Sequence, residues 1–389
     1  METKQSIFSK IAYSCFYLGV VIEVLLVLID KSAYTNPIEG RIFQLTFLLF
    51  FVKVCLTKYS FKEYLMMGLF LFVGVISYLV TGRNEIIRIV MFIAACKNID
   101  MIKCLKVVFW MTVVGCVVIM AASLTGILGT VALTQDYGRG SVETRYVLGM
   151  GHPNALQCMV CVLTILGIYL YRSKLRWYHY IGILLINLFF FILTDSKTAL
   201  ITAICALFFF FCIPITQKKN WRWLFVTGNI GILTGSIIIS IMSAKDAMCL
   251  WHYFWEGATS TKIKFYLFLD KILTGRIHSL IETNNHEGIM DTWSLFSRPE
   301  NNYYFDMGWV RLFYWYGIIP ACLVIAVLII FAVYLVMNRK MGELVVLSMF
   351  ALYTVVEAHL VSVYIARNYL FFIFGMYWCH LLQNQRYRK

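Results

Sequence analysis

The chain has 389 residues, of which 61% are hydrophobic and only 14% are charged. A soluble globular protein carries roughly 25% charged residues, so this composition excludes an ordinary soluble domain and indicates a polytopic membrane protein. The net charge of +14 would suggest nucleic-acid binding in a soluble chain. In a membrane protein the excess of lysine and arginine instead sets the orientation of the spans, so no nucleic-acid partner is expected.

Apolar runs long enough to cross a bilayer follow one another along the chain. The first run, residues 11–29, is too long for the apolar part of a cleaved signal peptide and lacks a small-residue cleavage site after it. We therefore predict an all-α polytopic fold of about twelve transmembrane helices in a single membrane-embedded domain, residues 1–389. The predicted spans lie near 11–29, 42–57, 64–81, 86–97, 107–127, 154–171, 178–194, 197–215, 222–242, 317–337, 344–361 and 364–383.

Basic residues concentrate in alternate loops and at both termini, which the positive-inside rule assigns to the cytoplasm. They are Lys4, Lys10, Lys58, Lys62, Lys97, Lys103, Lys106, Arg172, Lys174, Arg176, Lys218, Lys219, Arg222, Arg339, Lys340, Arg386, Arg388 and Lys389. The opposite, extracytoplasmic face then receives loop 128–153, the turn at Asp195, the long segment 243–316 and the short link near residues 361–365. Segment 243–316, between spans nine and ten, is the candidate for an extramembranous subdomain with short helices of its own.

Unusual polar residues gather on this predicted outer face: Arg139, Arg145, His152, Asn154, Asp195, Ser196, Lys197, Thr198, Arg276, Asn301, Asn302, Asp306, Arg311, Glu357, His359 and Arg367. Single residues have purely structural alternatives. Asp195 or its neighbour would cap the eighth helix, and Lys197 and Arg367 would reach toward lipid headgroups. Glu357 and His359 would form a polar pair inside the bundle. The collection on one face is the stronger signal for a function.

Residues 145–154 are the first candidate binding element. His152, Pro153 and Asn154 lie where the outer loop gives way to the sixth apolar run. Proline is favoured in a first helical turn, so the sixth helix is predicted to begin here. A helix N-terminus presents backbone N–H groups to an anion, and Arg145 lies seven residues upstream of His152. These residues predict an anion-binding site.

The sequence does not suggest a metal or a cofactor. It has no Asp-x-Asp, no His-x-x-x-His and no outer-face carboxylate cluster of the kind that Mg²⁺ or Zn²⁺ prefers. A phosphate-binding GxxxxGK[ST] loop is also missing. Cys158 and Cys161 have CxxC spacing, but they lie inside an apolar run and are expected to pack there. Arginine is therefore expected to supply the positive charge of the site.

Four short elements occur in order between residues 145 and 319. They are Arg145 with Gly151-His152-Pro153-Asn154, then Asp195-Ser196-Lys197-Thr198-Ala199, then Leu273-Thr274-Gly275-Arg276, and finally Asp306-Met307-Gly308-Trp309 with Gly317-Ile318-Ile319. In this order they resemble motifs of the bacterial O-antigen and capsular polysaccharide polymerases (Wzy type), which are related to the O-antigen ligases. Lys197 stands where that family usually has arginine, and related ligases have a histidine near the position of Asp306.

The resemblance implies a GT-C-like membrane fold. It also implies that the donor and the acceptor are both oligosaccharide repeat units on undecaprenyl diphosphate. The reaction would move the growing glycan onto the sugar of another lipid-linked unit, at the outer face of the bacterial cytoplasmic membrane. The implied partners are the lipid bilayer, a flippase and a chain-length regulator. An O-antigen-type ligase and a flippase or transporter of lipid-linked oligosaccharide stay open as alternatives.

The resemblance and the chemistry of the residues together suggest individual roles. Asp306 is the expected general base for the attacking sugar hydroxyl, with His152 as its rival. The reaction is expected to be one direct displacement, with inversion at the anomeric carbon. Diphosphate binding is expected of Arg145, Lys197, Arg276 and Arg311, since guanidinium groups match phosphate oxygens in pairs. The other expected substrate contacts are Asn154, Asp195, Asn302 and Trp309.

Overall fold

The computed structural model describes residues 2–136, 142–282 and 288–382. Arg139 and the C-terminal residues Arg386, Arg388 and Lys389 lie outside these ranges. The helices are α1 (Glu2–Lys31), α2 (Glu39–Cys55), α3 (Phe61–Thr81), α4 (Glu85–Ala95), α5 (Met101–Leu124), α6 (Pro153–Tyr171), α7 (Trp177–Thr194), α8 (Lys197–Cys212), α9 (Lys219–Asp246), α10 (Met248–Glu256), α11 (Thr261–Ile272), α12 (Ser279–Glu282), α13 (Gly308–Tyr316), α14 (Ile318–Met337), α15 (Met341–Tyr353) and α16 (Tyr369–Leu382). Two strands, β1 (Ala132–Asp136) and β2 (Val142–Tyr146), form an antiparallel hairpin.

Within the described ranges, eight helices are long and apolar enough to cross a membrane. The prediction of an all-α, multi-pass membrane protein is confirmed at this level. The other four predicted spans coincide with α2, α4, α15 and α16, which have 17, 11, 13 and 14 residues. At a rise of 1.5 Å per residue, the shortest of them reaches only about 16 Å, roughly half of the hydrocarbon core.

Helix α15 forms the centre of the bundle. Every residue from 341 to 351 is buried, and the helix packs against α6, α8, α9, α14 and α16. Apart from Glu343 and Ser348 these residues are apolar or glycine, as expected for a helix in such a central position. Helix α7 is the opposite case, because only Asn187 and Thr194 of its residues are buried. Its other residues are half-buried against α6 and α8 or exposed on the outside of the bundle.

The predicted spans 344–361 and 364–383 are wrong where they approach each other. Helix α15 ends at Tyr353 and α16 begins only at Tyr369, so residues 354–368 are irregular apart from a 3-10 turn at Ile365–Arg367. Most of this connection is nevertheless buried. Irregular backbone is tolerated inside a membrane protein only where other parts of the protein satisfy its polar groups.

A buried ion pair supplies part of that satisfaction. Arg88 of α4 and Glu23 of α1 lie 3.0 Å apart, with side chains 4% and 1% exposed. The Arg88 guanidinium donates to the carbonyl of Val363 at 2.9 Å, and the Glu23 carboxylate accepts from the backbone N–H of Ile365 at 3.3 Å. The connection 354–368 is therefore held by charged side chains from the first quarter of the chain.

The hairpin occupies the predicted loop 128–153. Its register pairs Leu133 with Arg145. The chain after β2 docks on the end of α1, where Gly151 N–H donates to the Lys31 carbonyl at 3.0 Å. Gly149 has a left-handed backbone (φ 79°), and a Cβ there would lie 2.8 Å from the side chain of Ser123. This docking places β2 beside the start of α6.

The predicted segment 243–316 contains the end of α9 and the short helices α10 to α13. Its inner side packs on the membrane bundle through buried residues such as Ile277, Leu280 and Met307. The Trp309 indole N–H also donates to the Ala351 carbonyl of α15 at 3.0 Å. The segment is thus fixed directly on the central helix.

Candidate functional site

A cavity of about 280 Å³ lies where three remote stretches of the chain meet. These stretches are the hairpin with the start of α6, the turn between α7 and α8, and the turn after α11. The lining residues are Gln135, Arg145, His152, Asn154, Asp195, Ser196, Lys197, Thr198, Thr274 and Arg276. The structure therefore brings together six residues that were predicted separately: Arg145, His152, Asn154, Asp195, Lys197 and Arg276.

Arg145 is buried in the cavity wall, with 5% of its surface exposed. Its Nε donates to the Glu143 carboxylate at 3.1 Å, and its Nη2 lies 3.6 Å from the Asp195 carboxylate. Glu143 was not predicted from the sequence. Side chains two residues apart on a strand share one face, so the strand position of Arg145 would have identified this partner.

The turn between α7 and α8 differs from the predicted capped turn. Asp195 has a left-handed backbone (φ 50°) and ends α7, while Ser196 takes the N-cap position of α8. The Ser196 side chain makes no capping hydrogen bond, so the expectation that this turn caps α8 is wrong. The first turn of α8, with Lys197 and Thr198, borders the cavity and adds the partial positive charge of a helix N-terminus.

His152 caps the second helix that begins at the cavity. Helix α6 starts at Pro153, as predicted, and His152 Nδ1 accepts from the Asn154 backbone N–H at 3.1 Å. This contact assigns the imidazole proton to Nε2. Burial lowers the pKa of His152, and the nearby Arg145 and Arg276 lower it further against the opposing effect of Asp306. The imidazolium form of His152 is therefore disfavoured at this position.

Arg276 closes the cavity from the side of α11. Its Nε donates to the Val356 carbonyl at 3.1 Å, and its Nη1 donates to the Thr274 carbonyl at 3.3 Å and to the Thr274 hydroxyl. Thr274 and Gly275 both have left-handed backbones, with φ of 57° and 81°. For a threonine this conformation costs of order 1 kcal/mol and is typical of functional turns. The strained turn and the Val356 carbonyl together fix the guanidinium.

Asp306 lies beside Arg276 rather than in the cavity wall. Its carboxylate is 3.6 Å from Arg276 Nη2, and its side chain is 38% exposed. Its charge also acts on His152. The two candidate bases, Asp306 and His152, therefore lie close enough to interact electrostatically. Asp306 has a partly exposed carboxylate beside Arg276, at the edge of the cavity.

The structure does not bring Arg311 to the cavity. Its side chain is 1% exposed, and its guanidinium carbon lies 3.6 Å from the Tyr304 ring centroid and 4.7 Å from that of Trp315. The guanidinium also donates to the Phe305 carbonyl. In this position Arg311 stabilises the chain before α13 through aromatic stacking.

Asn302 and Trp309 also lie apart from the cavity lining. The Trp309 ring is 1% exposed against α15, which leaves no face for stacking on a sugar. Asn302 is exposed, and its amide oxygen accepts from Arg83 Nη2 at 3.1 Å. The same Arg83 nitrogen donates to the Asn301 carbonyl at 3.0 Å. These contacts hold the segment before α13 on the loop after α3.

The predicted pair of Glu357 and His359 is wrong. Glu357 pairs instead with Arg367, at 3.0 Å, and both side chains are largely buried. This contact also contradicts a headgroup role for Arg367. His359 Nε2 lies 3.3 Å from the thiol of Cys158 in α6. Because Arg276 binds the carbonyl of Val356, the Glu357–Arg367 pair stiffens the backbone directly behind the cavity.

The cavity combines three cationic side chains, one lining carboxylate and two helix N-termini, which is the chemistry of an anion site. Among the described residues, no group of three or more His, Cys, Asp or Glu side chains is arranged to hold a metal ion. No protein-family model, curated protein or solved structure matches the chain.

Proposed function

We propose that the cavity binds the diphosphate of a polyprenyl-linked oligosaccharide and that the protein is a membrane glycosyltransferase. In this proposal it polymerises undecaprenyl-diphosphate-linked repeat units into an O-antigen, capsular or exopolysaccharide. The convergence of Arg145, Lys197 and Arg276 on one cavity is the observation that carries the proposal. Pairs of arginines suit a diphosphate because each guanidinium can hold two phosphate oxygens.

The size of the cavity fits the charged part of such a donor. Sites for whole drug-sized ligands occupy about 300–1,000 Å³, and this cavity has about 280 Å³. It is large enough for a diphosphate but not for an oligosaccharide as well. The sugars of donor and acceptor would extend past Asp306 along the outer surface, and the polyprenyl chain would extend into the bilayer.

The reaction proposed is a single displacement. A hydroxyl oxygen of the acceptor sugar attacks the anomeric carbon of the donor, and its proton passes to the Asp306 carboxylate. The bond between that carbon and the diphosphate oxygen breaks, and polyprenyl diphosphate leaves with the bonding electron pair. Arg145 and Arg276 stabilise the charge that develops on the leaving group, while His152 Nε2–H and the α8 N-terminus donate to its oxygens. The anomeric configuration inverts.

The finer architecture belongs to the same proposal. It comprises twelve spans in a GT-C-like arrangement, both termini in the cytoplasm and the cavity on the outer side of a bacterial cytoplasmic membrane. The loop between the end of α6 and the start of α7 supports this orientation, because it contains Arg172, Lys174 and Arg176. A flippase would supply the lipid-linked unit, and a chain-length regulator would act on the product.

The test is to reconstitute the full-length protein with a defined lipid-linked repeat unit, without ATP, and to follow glycan length. A ladder of lipid-linked products is expected, and it should be lost in Arg276→Ala but kept in Arg83→Ala, which changes the same face outside the cavity. Movement of the unit across the bilayer without bond formation would instead identify a flippase. Transfer only to a different acceptor would identify a ligase.

A further inference from the structure

A second cavity, of about 690 Å³, lies at the opposite ends of the helices that form the first. Helix α6 begins at the first cavity with Pro153 and ends at Tyr171, a length of 19 residues. At 1.5 Å per residue the two cavities are separated by about 28 Å, close to the thickness of a hydrocarbon core. One cavity thus lies at each end of the same membrane-spanning layer.

The rim of the second cavity is basic. Arg172 follows α6, and Arg339 and Lys340 connect α14 to α15; all three line the cavity. The Arg172 guanidinium donates to the Tyr169 carbonyl at 2.8 Å. Its carbon lies so close to Gly342 of α15 that a Cβ on that glycine would be 2.9 Å away. The guanidinium is therefore placed against α15, at the rim.

Below the rim the cavity carries one buried carboxylate, which already has partners. Glu343 is 5% exposed, and its Oε1 accepts from the hydroxyls of Tyr169 at 3.2 Å and Tyr377 at 3.0 Å. The other lining residues on this side include the apolar Phe210 and Phe211 of α8. The cavity therefore combines a basic rim with apolar and aromatic walls, and its one buried carboxylate is held by two tyrosine hydroxyls.

The side of the cavity formed by α7 opens to the lipid. Helix α7 buries only two of its residues, and its first residue, Trp177, lines the cavity and is 66% exposed. Tryptophan is enriched at the level of lipid headgroups. A molecule that is itself part of the bilayer can thus enter sideways, with its charged end at the rim and its chains along α7 and α8.

We infer that this second cavity binds the phosphate of an anionic phospholipid headgroup, such as that of phosphatidylglycerol. Basic pockets between spans, next to a leaflet rich in anionic lipid, are suited to such headgroups. The ligand chemistry is a phosphate ester, which a soluble metabolite could also offer. The apolar walls and the exposed side of α7 favour the lipid. This site does not depend on the chemistry at the first cavity, but its position at the cytoplasmic leaflet rests on the orientation proposed above.

The test titrates the purified full-length protein, in neutral detergent, with short-chain phosphatidylglycerol. Phosphatidylcholine of the same chain length and glycerol 3-phosphate are titrated in parallel. Arg172→Gln/Arg339→Gln/Lys340→Gln should weaken phosphatidylglycerol binding by about tenfold or more, since it removes several charge-assisted contacts. The matched control, Lys58→Gln/Lys62→Gln/Lys218→Gln, removes the same charge from exposed positions outside this cavity and should bind as the natural protein does.

A single substitution tests the same site if the triple variant does not fold. Gly342→Ala leaves every charge in place and favours the helix, but its methyl group displaces the Arg172 guanidinium. It should weaken phosphatidylglycerol binding in the same direction. The inference is overturned if the charge variants and their control bind equally, or if phosphatidylcholine binds as well as phosphatidylglycerol. Equal competition by glycerol 3-phosphate would overturn the assignment to a lipid.

Discussion

Replacing Arg276 by lysine is the most specific test of the proposed diphosphate-binding cavity, because it keeps the positive charge and removes the planar guanidinium group. In the structure the guanidinium group of Arg276 contacts the Val356 carbonyl at 3.1 Å, the Thr274 carbonyl at 3.3 Å and the Asp306 carboxylate at 3.6 Å. A lysine ammonium cannot bridge all three. Leaving the buried Val356 carbonyl without its donor should lower the free energy of unfolding by about 1–3 kcal/mol.

The same substitution should affect catalysis more than folding. Loss of one preorganised donor to a developing oxyanion typically lowers kcat by about 10²–10³-fold. The assay is the initial rate of glycan elongation at saturating lipid-linked substrate, with the melting temperature measured on the same preparation. Pyrophosphate affinity, from its competition with the substrate, should also fall.

Arg83→Lys is the matched control for Arg276→Lys. Arg83 also donates to backbone and side-chain oxygens of the outer segment, at Asn301 and Asn302, but it does not line the cavity. It should lose comparable stability and keep the elongation rate. Equal rates for both variants, at equal amounts of folded protein, would refute the role assigned to Arg276.

Three further predictions follow from the contacts. Asp306→Asn should reduce the elongation rate by about 10²–10⁴-fold with little change in melting temperature; a rate close to that of the natural protein would remove Asp306 as the base. Because the pKa of His152 is below its ordinary value of 6.5, the unfolded chain binds this proton more readily, and stability should fall as the pH drops below about 6.5. His152→Asn keeps a capping side chain and should show a smaller loss in melting scans between pH 7.5 and 5; an unchanged slope would contradict the assignment. Arg88→Met leaves Glu23 buried without its ion-pair partner and should cost about 3–5 kcal/mol in chemical unfolding, and adding Glu23→Gln should recover part of that loss. No recovery in the double variant would count against the pair.

Hydropathy alone was enough to locate the helices of the membrane bundle. Each predicted span overlaps a helix because a bilayer selects for continuous apolar runs, although spans 344–361 and 364–383 extend beyond α15 and α16. The start of α6 at Pro153 was predicted from its residues. The failures occur where backbone polar groups are satisfied at long range. Nothing local to residues 354–368 shows that Glu23 and Arg88 will support an irregular connection there.

Only part of the candidate site was predicted from the sequence: six predicted residues line the cavity, whereas Glu143 was missed and Arg311, Asn302 and Trp309 lie apart from it. Arg145, Lys197 and Arg276 are separated by long stretches of sequence, and only the shared outer face suggested that they meet. Arg311 shows the limit, since an arginine near the same motif can instead stack on Tyr304 and Trp315. An arginine side chain can stack on aromatic rings or bind an anion. Which of the two it does depends on the rings that folding brings close to it.

The connection 354–368 also has a consequence for synthesis. Its carbonyl at Val356 fixes Arg276, and it depends on partners as far as 342 positions away in the chain. Arg276 is translated well before the carbonyl that orients it. A nascent chain that has inserted everything up to α14 would therefore possess the cationic residues of the cavity without their final arrangement. Residues 354–368 must therefore be made and packed against Glu23 and Arg88 before the guanidinium of Arg276 is fixed.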